Sequence, residues 1–150
     1  MYFLGEFVPA RAHLEQALAL AGPQQDRART FLAGEDTWVS CLAFVARVLW
    51  ALGYPDQALT RSHAMLTYAQ EQQHAFSLAR ALFYIATLHK LRGEANAAQE
   101  WVEAALAIMT EQGFGQNLWT TTFTRGWALA VQGRHEEGMA QMRQGLAARR

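Results

Sequence analysis

The sequence predicts an all-α protein built from antiparallel helix hairpins. Its 150 residues are 51% hydrophobic and include three prolines, and the abundant Ala, Leu, Gln, Glu and Arg are strong helix formers. Alternating segments of β-branched residues, which would predict strands, are scarce. A glycine-centred pattern also recurs along the chain with a fixed period. Together these observations predict about seven helices joined by short turns.

The recurring pattern begins at a glycine that follows an apolar stretch. The glycines are Gly5, Gly53, Gly93 and Gly133, and the last three are 40 residues apart. A small residue stands five positions after each, namely Ala10, Ala58, Ala98 and Gly138. A leucine stands thirteen positions after each, namely Leu18, Leu66, Leu106 and Leu146. A glycine at a helix end can adopt positive φ, and small residues let helices approach closely. The pattern therefore predicts a 40-residue hairpin repeat.

Helix boundaries follow from these glycines and from capping residues. We predict helices at 8–21, 37–52, 55–72, 75–92, 95–112, 117–132 and 135–148. Asp36 and Asn117 are expected N-caps, and Gly113 is expected to end a helix. The first interval between glycines is longer than the others, so residues 22–35 are interpreted as an insertion, in which 26–32 would form a short extra helix.

These boundaries organise the chain as a single repeat domain over residues 1–150. It comprises a half hairpin, the insertion and three full hairpins, at 1–21, 22–35, 36–73, 74–113 and 114–150. Isolated helical arrays usually have polar-faced caps at both ends, and neither end shows one. We therefore expect a segment of a larger protein, with self-association as the alternative.

The motif Gly-x-x-x-x-Ala-(x6)-Ala-Leu, present at 5–18 and 93–106, resembles the second half of the tetratricopeptide repeat. The family's first-helix signature is followed less closely. Its positions hold Leu42, Val45-Ala46 and Leu49, then Leu82, Ile85-Ala86 and His89, and finally Thr122, Arg125-Gly126 and Leu129. Gly126 keeps the family's close-packing glycine, whereas Thr122 and Arg125 depart from the pattern. The resemblance implies a right-handed α-α superhelix.

The 40-residue period and phrases such as Ala-Leu-Gly-Tyr-Pro-Asp-Gln-Ala-Leu at 51–59 suggest a narrower relationship. They are similar to the long-helix arrays that follow ATPase modules in bacterial signalling proteins, including cyclase-fused ATPases and MalT-like regulators. This resemblance implies a non-catalytic protein-interaction or regulatory scaffold, with any ATPase or cyclase activity outside the segment. Two alternatives remain open: a small-molecule effector sensor, or a structural dimerisation module.

Composition argues against several other classes of function. The formal net charge is zero, whereas nucleic-acid binding usually needs a basic excess. The single cysteine, Cys41, excludes an internal disulfide framework and is typical of a reducing compartment. The N-terminus lacks the features of a secretory signal, and the most apolar stretch, 41–53, is too short to span a membrane. We therefore expect a cytoplasmic location.

No residue pattern predicts catalysis, a cofactor or a metal. The five histidines lack the i, i+4 spacing of a helical metal site. No base adjoins Cys41 in sequence, as a nucleophilic thiol would require. The stretch 113–115 has glycines but lacks the Lys-Ser/Thr of a phosphate loop. We expect structural roles for all of these residues.

The predicted partner surface is a concave groove lined by the first helix of each hairpin. Three side chains per helix, at i, i+4 and i+7, share a face. They are Ser40, Phe44 and Arg47, then Arg80, Tyr84 and Thr87, and finally Thr120, Thr124 and Trp127. Aromatic and arginine side chains are typical of interface hot spots, which predicts a protein or peptide partner.

Two other interpretations apply to the groove residues. Phe44 and Trp127 would pack between helices if no groove forms, leaving Arg47 and Arg80 solvated. In the effector-sensor alternative, Phe44, Tyr84 and Trp127 would line an enclosed pocket.

A second surface is predicted on the last helix. Met139, Met142 and Leu146 form an apolar stripe that no later residue of this sequence covers. Self-association as a homodimer would bury it.

Overall fold

The computed structural model describes residues 2–33, 36–115 and 118–148, and for 21–33 it describes the backbone alone. A short 3-10 helix, Tyr2–Leu4, comes first. Seven α-helices follow: α1 Phe7–Ala33, α2 Thr37–Ala51, α3 Pro55–Glu71, α4 Ala75–Leu91, α5 Ala95–Glu111, α6 Leu118–Val131 and α7 His135–Ala147. These residues contain no strand. From α2 onward, the predicted helix boundaries agree with these ends to within one residue.

The first long helix departs from the prediction. α1 continues from Phe7 to Ala33 through Pro23, whereas the sequence predicted an end at 21 and a separate helix at 26–32. A proline in a helix removes a backbone hydrogen bond, which is why a break was expected. The Gln, Arg and Ala residues of 24–29 are strong helix formers and favour continuation. The interpretation of 22–35 as an insertion stays a prediction, and residues 34–35 lie outside the described part.

The chain divides into two compact units, Met1–Ser77 and Leu78–Arg150. In the first unit, α2 packs against both α1 and α3. The most completely buried large side chains of this unit are Val39, Val45, Val48, Leu49 and Met65. They come from α2 and α3, so the inward faces of these two helices supply the largest buried side chains among those described in this unit.

In the second unit, α6 packs against both α5 and α7. Its buried apolar side chains include Ile85, Leu88, Val102 and Leu129. Thr121 is buried too, and its hydroxyl donates to the sulfur of Met109 at 3.6 Å, which links α6 to α5. A hydroxyl with a partner can lie in an apolar core without a large desolvation penalty.

Apart from the end of α1, the predicted helix ends are confirmed where the structure describes them. Gly5, Gly53, Gly93, Gly113 and Gly133 all adopt positive φ, the conformation that closes a helix at little cost only for glycine. The Asp36 carboxylate accepts a hydrogen bond from the Val39 backbone N–H at 3.1 Å, so it caps α2 as predicted. Asn117, the other expected cap, lies outside the described residues.

Small residues at the repeat positions pack as the sequence predicted. Ala10, Ala58, Ala98 and Gly138 are all buried. In the last hairpin the two helices approach closely, because Gly126 of α6 faces Gly138 of α7 with backbone against backbone. Leu146, the last of the repeat leucines, remains exposed.

Candidate interaction surfaces

The predicted stripe on α2 contains an arginine beside an aromatic ring. The guanidinium carbon of Arg47 lies 5.7 Å from the ring centre of Phe44, within cation–π range. Phe44 and Arg47 are both half-buried, as is Ser40. The pair therefore keeps part of its surface open to solvent, while the ring restrains the long arginine side chain.

The N-terminal segment also contacts Phe44, which sequence analysis missed. The ring centres of Tyr2 and Phe3 lie 5.4 and 6.1 Å from that of Phe44, and both contacts are edge-on. Phe3 is 86% exposed, so it extends this aromatic cluster to the surface. The aromatic content of residues 2–7 was the available sequence signal for this cluster, because aromatic side chains pack favourably against one another.

The stripe on α4 repeats the combination of arginine and aromatic. Arg80 Nη2 donates a hydrogen bond to the Tyr84 hydroxyl, and the guanidinium carbon lies 5.3 Å from the ring centre. Tyr84 is largely buried, whereas Arg80 is half-buried. The Thr87 hydroxyl donates to the Phe83 carbonyl at 2.9 Å, within its own helix. Arg80 and Thr87 are thus the two members of this stripe that keep part of their surface exposed.

The stripe on α6 requires one correction. Thr120 and Trp127 are half-buried, but Thr124 is only 2% exposed and cannot line an open groove in this structure. Thr124 lies about 40° around the helix from Thr120, toward the buried Thr121 and Ala128. The i+4 position therefore lies at the edge of the core face, which the spacing alone did not reveal.

The stripes on α4 and α6 belong to neighbouring helices of the second unit. The Lys90 ammonium of α4 lies 5.6 Å from the ring centre of Phe123 on α6. This contact places one cation at the junction of the two first helices.

The apolar surface of α7 is smaller than predicted. Met139 is 43% exposed and Leu146 is 52% exposed, so both remain accessible. Met142 is half-buried instead, because its side chain lies against Gly126 of α6. The missing side chain of that glycine provides the space that Met142 occupies. Two residues of the predicted stripe, not three, form the exposed patch.

His89, Arg92 and Glu94 form a polar cluster at the turn between α4 and α5. The His89 Nδ1–H donates to Glu94 Oε2 at 2.6 Å, and Arg92 Nε donates to Oε1 at 2.9 Å. The hydrogen bond from His89 is the largest cause that lowers the pKa of Glu94; Arg92 also lowers it, and partial burial opposes both. Within this cluster, His89 stands at the repeat position where the other hairpins have the buried leucines Leu49 and Leu129.

The described residues offer few groups arranged for chemistry. Cys41 is half-buried in α2, and Gly113 ends α5 instead of beginning a phosphate loop. No three His, Cys, Asp or Glu side chains within 2–33, 36–115 and 118–148 are grouped as a metal would need. No helix of that same part has the length and apolar character to cross a membrane.

A cleft in the second unit was not predicted. It has a volume of about 710 Å³ and lies between α5, α6 and α7. Thr122 and Arg125, the two departures from the tetratricopeptide pattern, are among its lining residues. Those departures were the sequence signal for this cleft, since polar residues had replaced expected apolar ones.

Solved structures that share this fold include those of a Rap protein and of a TPR-like repeat protein. A Rap protein complexed with Competence and Sporulation Factor superposes with a TM-score of 0.76 at 18% identity. The match covers 95% of this chain but only 38% of the Rap protein. Two structures of the TPR-like repeats assigned to a kinesin light chain of Podosopora anserina give TM-scores of 0.67, also at 18% identity. Each covers 95% of this chain, and 66% and 67% of the repeat protein.

These neighbours confirm the predicted fold class, an all-α array of tetratricopeptide-type helix hairpins. The sequence matches no protein-family profile, and no curated protein gives a significant match. The comparisons with solved structures therefore establish the fold class of this chain.

Proposed function

We propose that this chain is a protein-interaction scaffold that captures a peptide segment of its partner along the first helices of its hairpins. The observation that carries this proposal is the recurrence of an arginine beside an aromatic ring, Arg47 with Phe44 and Arg80 with Tyr84. Arginines and aromatics dominate the binding energy of protein interfaces. An arginine already restrained by its ring also loses less conformational freedom when a partner binds.

The chemistry of these stripes favours a partner segment with acidic and apolar side chains. The planar guanidinium matches a carboxylate with two parallel hydrogen bonds, and the half-buried Phe44 ring offers apolar contact area. The Rap protein, which shares the fold, holds Competence and Sporulation Factor in its structure. A fold-mate in complex with a factor supports a binding role for this chain as well.

The finer part of the proposal concerns the parent protein. We place the chain in a bacterial signalling protein, as a cytoplasmic regulatory segment associated with an ATPase module or a nucleotide cyclase. The support is the resemblance of the 40-residue, long-helix repeat to arrays of that kind. Catalysis would belong to other segments. A P-loop or cyclase domain encoded in the same reading frame would support this placement, and a frame that encodes neither would contradict it.

The binding proposal is tested with peptides selected from a random-peptide display library. Selected peptides are expected to carry carboxylates beside apolar residues, and their affinity is measured by calorimetry. Arg47→Glu and Arg80→Glu should each weaken binding by about tenfold or more, which corresponds to about 1.4 kcal/mol. Circular dichroism would show whether helicity is retained.

The matched control is Arg61→Glu, which reverses the charge of an exposed arginine on α3, the second helix of its hairpin. It changes the net charge equally, so an unaltered affinity shows that position matters and not total charge. Equal weakening by all three variants, or none by Arg47→Glu and Arg80→Glu, would contradict the assignment of the stripes.

A second candidate is self-association through α7. It is favoured by the exposure of Met139 and Leu146, which leaves an apolar patch on one helix face. Dimerisation and peptide capture use different residues, so both functions can be tested independently.

A further inference from the structure

At two positions of its first helix, the third hairpin has polar residues where the second has buried apolar ones. α4 carries Leu82 and Ile85, and both are buried. At the equivalent positions, 40 residues later, α6 carries Thr122 and Arg125, and both are only half-buried. Two apolar side chains are thus replaced by polar ones, and the cleft between α5, α6 and α7 lies beside them.

The cleft combines both signs of charge with an apolar wall. α5 contributes the carboxylates of Glu103 and Glu111 and the side chain of Leu106. α6 contributes Leu118 and Arg125. Gln141 closes the cleft from α7. Its volume of about 710 Å³ lies within the roughly 300–1,000 Å³ of small-molecule sites. Three helices of one unit therefore build a recess of this volume that is open to solvent.

Arg125 and Glu103 form a loose ion pair. Arg125 Nε lies 3.5 Å from Glu103 Oε1, longer than the roughly 2.7–2.9 Å of a close charge-assisted hydrogen bond. The same carboxylate oxygen accepts a hydrogen bond from Gln99 Nε2 at 2.8 Å. Because the nearest approach uses Nε, this contact leaves the fork of the two Nη atoms for a bidentate partner.

Gln141 adds a second polar group to the cleft. Its Oε1 atom is buried and meets no hydrogen-bond donor among the described residues. Buried polar atoms are nearly always hydrogen-bonded, and one without a partner destabilises the fold. Because this oxygen is shielded from solvent, a ligand N–H would reach it once the Gln141 side chain turns toward the cleft.

We propose that this cleft binds a small zwitterion of the α-amino acid class. A ligand with a carboxylate alone would reach Arg125 but would place its charge near Glu103. A ligand with an ammonium alone would have the opposite conflict. A zwitterion offers its carboxylate to Arg125 and its ammonium to Glu103 and the Gln141 oxygen. Its side chain lies along Leu106 and Leu118.

The inference goes beyond the scaffold function, because the site lies away from the predicted stripes and takes a small molecule. It is tested on the whole chain with the standard amino acids as probes, starting with L-leucine and L-glutamine. Binding is followed by calorimetry and by ¹H–¹⁵N NMR of the Arg125 Nε–H and Gln141 amide signals. Acetate and methylammonium serve as single-charge probes, and N-acetyl-leucine amide serves as a neutral peptide analogue.

At least one amino acid is expected to shift both side-chain signals, with no comparable shift from acetate or methylammonium. Arg125→Gln should weaken binding by about tenfold or more, while Arg143→Gln, at an exposed position on α7, should leave it unchanged. Failure of every amino acid to bind would overturn the proposal. So would equal binding of acetate alone, or of the neutral analogue, which would indicate a peptide site.

The repeat itself supplies a further variant. Thr122→Leu with Arg125→Ile installs the residues of the second hairpin and replaces two polar groups of the cleft with apolar side chains. This double variant should lose amino acid binding. Gln141→Leu, which removes the buried oxygen, is the second variant should the double one fail to fold, and it too should weaken binding. Retained affinity in a folded form of either variant would overturn the assignment.

Discussion

Gly126 and Gly138 bring the backbones of α6 and α7 into direct contact. A Cβ atom on Gly126 would stand 2.7 Å from the Gly138 carbonyl oxygen, and one on Gly138 would stand 2.5 Å from the Gly126 carbonyl oxygen. Two turns after Gly138 on α7, a Cβ on Gly145 would stand 2.6 Å from the Trp119 carbonyl oxygen of α6. Backbone atoms cannot rotate away as a flexible side chain can, so any side chain here forces the two helices apart.

Replacing either member of this pair with alanine should therefore destabilise the fold. Alanine raises helix propensity by about 1 kcal/mol over glycine, but overpacking of a tight contact costs about 1–3 kcal/mol. We expect the steric cost to exceed the gain, with a net loss of up to about 2 kcal/mol for Gly126→Ala and Gly138→Ala. Urea unfolding followed by circular dichroism measures the change. Gly115→Ala, where a Cβ meets open space, should be neutral, and equal stability of all three variants would contradict the argument.

The periodic parts of this fold could be predicted from the sequence because their signals are local. A glycine that ends one helix and a small residue five positions later fix a hairpin within a short span, as Gly93 and Ala98 do. The continuation of α1 through Pro23 could not be predicted in this way. It depends on whether the helix propensity of 24–29 outweighs one lost hydrogen bond, and these terms are of similar size.

The candidate sites were less accessible to sequence analysis. Spacing placed Arg80 beside Tyr84 because i, i+4 neighbours meet on one helix. The cleft joins Glu103, Arg125 and Gln141 from three helices, and no spacing rule brings those residues together. Thr124 shows the remaining difficulty, since a rotation of about 40° around a helix separates a surface position from a buried one.

Gln73 occupies a backbone conformation that suits glycine better. It ends α3 with φ 53°, at the position where α5 is followed by Gly113, 40 residues later. A side chain in the left-handed region costs about 1 kcal/mol, and the greater freedom of glycine in the unfolded state offsets part of that. We expect Gln73→Gly to stabilise the protein by about 0.5 kcal/mol, measured as a higher midpoint of urea unfolding.

The control for this variant introduces glycine on the same helix at a regular position. Gln70 is exposed in the last turn of α3, so Gln70→Gly should destabilise by somewhat less than 1 kcal/mol through helix propensity alone. Loss of stability in Gln73→Gly of the same size would show that the left-handed conformation at 73 carries no penalty.

The cluster of His89, Arg92 and Glu94 should make stability depend on pH in the acid range. The pKa of Glu94 is lowered from its ordinary 4.5, chiefly by the hydrogen bond from His89. The folded state therefore binds this proton less readily than the unfolded state does. The stabilisation is complete above about pH 4.5 and is lost as the pH falls through the lowered pKa of the folded state.

Glu94→Gln should lower stability at neutral pH and remove this contribution to acid sensitivity. The difference in unfolding free energy between wild type and Glu94→Gln should shrink as the pH falls from about 6 to about 3, measured by urea unfolding at each pH. Glu100→Gln, at an exposed position on α5, is the control and should follow the wild-type profile. A difference from wild type that stays constant with pH would exclude a titrating role for Glu94.

Met139 and Leu146 provide a direct test of self-association. They lie on one face of α7, seven residues apart, and both are exposed. If this face pairs with a second copy, Met139→Glu with Leu146→Glu would place charges in an apolar interface, where they are strongly disfavoured unless paired. Sedimentation velocity over a range of concentrations should then show dimer formation by wild type and a monomer for the double variant. Leu20→Glu, which alters an exposed leucine of α1, should still dimerise; a wild type that stays monomeric at every concentration would eliminate this interface.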